Sequence, residues 1–214
     1  MKKIKSFSFQ GVKGAYSEQA GTKLFLEAES IPCPTFEDMF DKVRAEEVDA
    51  AMVPIENSLA GRVADTQRLI PDSNLKITDE YFLEINHNLI GIKGSTISDI
   101  RRIHSHEQGI AQCRNKIIAL KKEMVVEADT AGSAKMIAEK NNNEDAAIAS
   151  ELAAKIYDLE ILETNFQDSS NNVTRFLVMQ KELADIDPSS NEVLTTLVFT
   201  VRSMPSALYK CLGG

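Results

Sequence analysis

Tryptophan is absent from this chain of 214 residues, and cysteine occurs only three times. Cys33, Cys113 and Cys211 are far apart and form no CxxC pair. That argues against a disulfide framework and against a zinc site of the usual spacing, and it makes reduced cytosolic thiols the expectation. Long apolar runs are missing too. The basic start, Met1-Lys2-Lys3-Ile4-Lys5, is not followed by an apolar stretch of signal-peptide type, so neither a leader nor a membrane span is expected and the chain is read as cytoplasmic. Basic residues are outnumbered, 24 Lys and Arg against 32 Asp and Glu, for a net charge of −8. Nucleic acid and anionic membrane surfaces are poor partners for such a chain. An anionic ligand would have to find local positive groups. No G-x-S-x-G elbow, no Ser/His/acid set and no metal-ligand cluster stands out, and neither a metal nor a cofactor is expected.

What is present is an alternation of short apolar runs with helical patterns. Strands are expected near 4–9, 48–55, 101–105, 124–128, 146–150, 161–164 and 173–180. Helices are expected near 17–29, from Thr35, near 62–70, 107–122, 131–141 and 151–157. The run 75–92 reads as one β segment long enough to cross between two lobes. Such alternation predicts an α/β protein with parallel sheets covered by helices on both faces. Residues 182–193, polar and Pro-containing, read as a linker. After them a strand at 194–201 and a helical start at 205–212 are too little to bury a core alone, as if a second domain were cut short.

The polar residues that fall beyond the carboxyl ends of the expected strands are candidates for a site. Asn172-Val173-Thr174-Arg175-Phe176 places a hydroxyl and a guanidinium side by side at the mouth of a strand. Thr174 and Phe176 should face one way and Arg175 the other unless the chain curves, and a half-buried Arg needs an anion or a carboxylate. Gly11-Val12-Lys13-Gly14-Ala15-Tyr16-Ser17 enters a helix, but lacks both the third glycine of a dinucleotide loop and the Lys-Ser/Thr ending of a phosphate loop. Glu56, Asn57 and Ser58 follow a buried strand, and capping the next helix explains them as well as a site does. Ser105 and His106 precede the helix that carries Gln112, where capping is the favoured role for His106. Thr130 and Ala131 open another helix. His87 and His104 show no partners and are read as structural. Hydroxyls, amides, one carboxylate and one Arg suit the orientation of a small anion better than redox or covalent work.

Taken in order, five motifs resemble the prephenate dehydratase family: Gly11 to Ser17, Val53-Pro54-Ile55-Glu56-Asn57-Ser58, Ser105 to Cys113, Asp129 to Ala134, and Asn172 to Phe176. The resemblance covers roughly residues 4–179, with Glu107 and Ala15 as small departures. It implies a two-lobed fold of the periplasmic-binding-protein type, with the site between the lobes and hinge strands joining them. In that scheme residues 1–181 form the catalytic domain, with 1–76 and 166–181 in one lobe and 77–165 in the other. Residues 194–214 would begin an ACT module, and most of that module is missing, so the resemblance leaves phenylalanine feedback without support here.

By resemblance the activity is a hydro-lyase that turns prephenate into phenylpyruvate, water and carbon dioxide in phenylalanine biosynthesis. Thr174 would donate the proton, with Glu56 as the rival acid and Asn57 beside them. Ser17, Ser58, Ser105, Gln112, Thr130, Ala131, Arg175 and Phe176 would hold the substrate, Arg175 serving it or bracing Glu56. A homodimer or higher oligomer is the expected assembly. Arogenate dehydratase and a non-catalytic two-lobed binding module are the alternatives. Abnormal self-association through the strand expected at 194–201 is a further one.

Overall fold

The computed structural model describes residues 3–183, 194–197, 199 and 201–213. The chain forms two compact units, residues 1–184 and 185–214. The first unit runs β1 (Ser6–Gln10), α1 (Tyr16–Leu24), β2 (Glu29–Cys33), α2 (Phe36–Arg44), β3 (Ala50–Asn57), β4 (Gly61–Arg62), α3 (Ala64–Leu69) and β5 (Lys76–Glu84). It continues with β6 (Asn88–Gly91), β7 (Arg102–His106), α4 (Glu107–Gln112), α5 (Arg114–Ala119), β8 (Glu123–Glu127), α6 (Thr130–Lys140), β9 (Asp145–Ala149), α7 (Glu151–Ile156), β10 (Glu160–Glu163) and β11 (Val173–Gln180). In the second unit the described residues hold one helix, α8 (Ala207–Leu212). No strand is assigned to the described residues among 194–201; Val198, Thr200 and nearly all of the expected linker lie outside the described set.

Two sheets make the two lobes, ordered β2-β1-β3-β11-β5, with β4 paired to β3, and β10-β6-β9-β7-β8. Burial follows the two-residue period of a strand. Ala51, Val53, Leu177 and Met179 enter the core on one face of the first sheet, and Ala50, Met52, Phe176 and Val178 the core on the other. The second sheet is likewise buried on both faces, and every residue of β9 is buried. Ends are set by local chemistry. Thr35 Oγ1 accepts the Asp38 N–H at the start of α2, and Asn141, left-handed at φ 49°, closes α6.

Several expectations change. The sheets are mixed: β1 is parallel to β2 and β3, but β11 runs antiparallel to β3 and β5, and β6 antiparallel to β9 and β10. The run expected as one strand breaks at residues 85–87 into β5 in the first sheet and β6 in the second. Because β5 pairs with β11 along nearly its whole length, the lobe boundary expected at 76/77 moves to that break. The helix expected at 107–122 divides at Cys113, whose backbone leaves the helical range (φ −116°, ψ 10°).

The chain crosses between the lobes twice, at residues 85–87 and again before β11, and the crossings lie side by side. Ile85 N–H donates to Asn172 O at 2.7 Å, and Phe166 N–H to His87 O at 2.6 Å. A third tie joins the lobes through the β1–α1 loop. Ser150 Oγ donates to Gly14 O at 2.6 Å and Tyr157 OH to Lys13 O at 2.8 Å. Gly14 has φ +90°, and a Cβ there would stand 2.7 Å from the Ala153 Cα, so both the turn and the close approach demand glycine.

Candidate active site

The loops at the strand ends of both lobes enclose a cleft of about 240 Å³. β11 supplies Thr174 and Phe176 to its wall, and β3 ends in Pro54 and Asn57. The start of α1 contributes Ala15, Tyr16 and Ser17, the start of α4 His106 and Gln108, and the start of α6 Asp129 and Thr130. Gln112 and His87 close the far side. The start of α1 has no side-chain cap. Its first N–H groups are therefore available to an anion.

A continuous chain of hydrogen bonds runs through this wall, and it fixes its own polarity. Asn57 Oδ1 accepts the backbone N–H groups of Leu59 and Ala60 at 3.0 and 2.8 Å, so its amide nitrogen must face the other way. Asn57 Nδ2 donates to Thr174 Oγ1 at 2.9 Å and to Asn172 Oδ1 at 2.7 Å. Asn172, fully buried, passes its own Nδ2 to Gln112 Oε1 at 2.8 Å. That oxygen also lies 2.7 Å from His87 Nε2, and Tyr16 OH lies 2.7 Å from His87 Nδ1. The oxygen of Thr174 is thus occupied by a donor while its proton stays free to point into the cleft. With its oxygen taken twice, Gln112 keeps its amide nitrogen for a ligand. Burial pushes the Tyr16 hydroxyl pKa well up, with Cys113 adding to the effect, and burial lowers that of His87.

Six of the residues expected at the site line the cleft: Ser17, Asn57, Gln112, Thr130, Thr174 and Phe176. Arg175 does not. On the opposite face of β11 its guanidinium donates to Glu80 at 2.9 Å and to Glu56 at 3.1 Å, with Phe82 beneath it. Glu56 lies opposite Arg175 in the ladder, so strand parity removes both from the cleft together. Ser58 Oγ bonds Asn171 O and accepts Val173 N–H. Ser105 is inaccessible, its hydroxyl on Ile148 O at 2.8 Å, and Ala131, in the first turn of α6, is buried. His106 accepts the Gln108 N–H through Nδ1 at 3.3 Å, the capping geometry read from the sequence, and lines the cleft as well. Sequence reasoning missed Tyr16, His87 and Asn172. Tyr16 and Asn172 sit inside motifs already singled out, whereas no local signal marks His87.

Fold and site define a two-lobed α/β protein whose ligand cleft, between the lobes, is walled by hydroxyls, amides and helix starts. The chain belongs to the prephenate dehydratase family, whose family model, described as prephenate dehydratase, matches residues 7–184. It is 44% identical over 207 residues to a bifunctional N-acyl-homoserine lactone acylase/prephenate dehydratase of Komagataeibacter europaeus, covering 97% of this chain and 74% of that protein. It is 43% identical to the chloroplastic arogenate dehydratase/prephenate dehydratase 2 of Arabidopsis thaliana, covering 96% of this chain and 54% of the plant protein. The chain therefore spans about half the length of the plant relative. Among solved structures it matches the quorum quenching acylase GqqA with a TM-score of 0.90 at 43% identity, over 98% of this chain and 76% of that one. It matches prephenate dehydratase from Arthrobacter aurescens, in complex with L-Phe, with a TM-score of 0.79 at 33% identity, over 86% and 63%.

Proposed function

We propose that the cleft binds prephenate and converts it to phenylpyruvate, water and carbon dioxide, with Thr174 as the proton donor. Prephenate is a dianion with a ring hydroxyl para to the carbon that bears the departing carboxylate. The bond to that carboxylate breaks, its electron pair enters the ring, and the para C–O bond breaks as the ring becomes aromatic. The hydroxyl leaves as water with the proton of Thr174, which solvent then restores. The observation that carries this reading is the 2.9 Å bond from Asn57 Nδ2 to Thr174 Oγ1. A donor already aimed at that oxygen stabilises the charge it gains as its proton leaves. The uncapped start of α1 and the free amide of Gln112 support carboxylate binding, and Phe176 offers an apolar face to the ring. Arg175 braces Glu56 and Glu80 in this scheme and does not hold the substrate.

The purified chain is expected to form phenylpyruvate from prephenate, followed by its absorbance, and to do so faster than it forms phenylalanine from arogenate supplied in parallel. Tight binding of prephenate without turnover would replace the enzyme by a binding module. We further propose that the chain acts in the cytoplasm as a homodimer or higher oligomer and that residues 194–214 belong to an ACT module. No helix of the described residues is long and apolar enough to cross a membrane. Light scattering of the chain tests the assembly.

A further inference from the structure

Among the described residues that line the cleft there is no Lys and no Arg. Arg175 is turned to the other face of its sheet, and Lys13, in the loop before α1, gives its ammonium to Ser30 and Glu18. Asp129 adds a carboxylate to the same wall, its Oδ1 capping the Gly132 N–H at 2.5 Å. A dianion therefore enters a site with no permanent cationic side chain. Two lining side chains can gain a positive charge, His87 and His106.

Of the two, His87 sits in a setting built for two protonation states. The residue is 3% exposed, and its ring packs edge-on against Tyr16, with centroids 5.5 Å apart. The polarity fixed by Asn57 and Asn172 leaves an oxygen of Gln112 facing Nε2, so Nε2 carries a proton in either state. Nδ1 faces the Tyr16 hydroxyl at 2.7 Å, and the same hydroxyl lies 3.1 Å from Asn86 O. One hydroxyl proton thus has two acceptors. With His87 neutral it points at Nδ1. With His87 cationic, Nδ1–H donates to the Tyr16 oxygen and the hydroxyl proton turns to Asn86 O. No heavy atom moves between the states.

We propose that His87 takes up a proton when a dianion enters the cleft, so that His87 and Tyr16 together form the cation that the lining otherwise lacks; this rests on the dianion-binding reading above. In the empty cleft burial keeps the histidine neutral, because it lowers its pKa below the ordinary value. The groups around the ring do not compete for the role. Tyr16, from α1, keeps its proton, since burial pushes its pKa well up. Cys113, at the junction of α4 and α5, is pushed to about 12 by burial, with Asp168 behind it adding to the shift. Asn86, Gln112 and Gln167 are neutral, and His106 and Asp129 line the cleft.

The test is a calorimetric titration of the full chain with the ring-saturated analogue of prephenate, which cannot aromatise, in buffers of low and high ionisation enthalpy. Near neutral pH the native chain should take up close to one proton per site, and binding should weaken about tenfold per pH unit as pH rises above neutral, because the ligand-bound pKa is the higher one. In His87→Gln the uptake should vanish and affinity should become flat in pH, whereas His106→Asn should retain the uptake. Uptake that persists in His87→Gln, or that vanishes in His106→Asn, overturns the proposal. A readout without substitution guards against a misfolded variant. Imidazole nitrogen-15 spectra of the native chain should show Nδ1 of His87 turning from acceptor-type to N–H-type on adding the analogue, and an unchanged Nδ1 refutes it. Binding and phenylpyruvate formation without proton uptake would overturn this inference alone. No binding together with no turnover would remove the dianion site and the inference with it.

Discussion

Replacing Asn57 by Asp keeps the shape of the side chain and reverses one donor. The oxygen that accepts Leu59 and Ala60 N–H is retained, so the turn after β3 survives. The other oxygen now faces Asn172 Oδ1 and Thr174 Oγ1, to which the amide had donated at 2.7 and 2.9 Å. The network has a way to relax. Asn172 turns its amide over, Gln112 follows, His87 shifts its proton from Nε2 to Nδ1, and the Tyr16 hydroxyl turns to Asn86 O, 3.1 Å away. Every buried group keeps a partner, so the stability loss should be about 1 kcal/mol, or about 2–4 °C in melting temperature.

Activity has no such escape. Thr174 now gives its proton to the carboxylate at residue 57, nothing stabilises the charge left on its oxygen, and Gln112 aims a carbonyl at the substrate. Loss of one donor to a developing anion is worth about 2.7–4 kcal/mol, a fall in kcat of about 10²–10³. The assay is phenylpyruvate formation at saturating prephenate, with a thermal melt of the same sample. Asn57→Ala is the contrast. It also loses the two turn bonds, so at about 1 kcal/mol per bond added to that loss its melting temperature should fall by about 6–12 °C. A kcat for Asn57→Asp within about threefold of the native value would refute the donor polarity assigned to Asn57 and Thr174.

Thr174→Ala should lower kcat by about two orders of magnitude or more, and Thr174→Ser should stay within about tenfold, since the hydroxyl is retained; unaltered turnover in a folded Thr174→Ala removes it as the donor. Glu56→Gln should leave kcat within about threefold and stability within about 1 kcal/mol, because its partner Arg175 lies outside the cleft and Glu56 itself is half exposed; abolished activity would restore Glu56 as the acid. Gly14→Ala should destabilise by about 1–3 kcal/mol through its positive φ, and should raise KM by displacing the start of α1 from Ala153, both read from melts and steady-state kinetics. At mildly alkaline pH a thiol reagent should modify the exposed Cys211 rapidly, and buried Cys33 and Cys113 only on unfolding. Burial holds Cys113 at about 12, so the unfolded chain loses this proton first; its contribution to stability is complete below the ordinary thiol pKa and drains away as pH rises toward 12, which alkaline melts will show.

Parity along a strand makes the facing of Thr174, Arg175 and Phe176 legible in the sequence itself. The two-residue period sends Thr174 and Phe176 into the cleft and Arg175 to Glu56 and Glu80. The buried alternation of β3 and β11 is visible for the same reason. Strand direction is not, because a run such as Val173–Gln180 reads identically whether the chain enters from its own lobe or returns from the other. Return from the second lobe makes β11 antiparallel to β3, and the same crossing cuts the long β run at 85–87. His87 is illegible for a further reason. Its partners, Tyr16 and Gln112, stand 71 and 25 residues away, and an uncharged amide leaves no periodic or charge signal. What distinguishes His87 from His104, equally silent in sequence, is the chemistry around it. His104 lies between the carboxylates of Glu127 and Asp145, whereas His87 meets a hydroxyl and an amide oxygen at a cleft whose described lining holds no permanent cation. A histidine already flanked by anions has little to gain when another arrives, while one surrounded by neutral dipoles gains the whole interaction. That difference, created by tertiary placement alone, makes His87 the group at which an incoming dianion is felt.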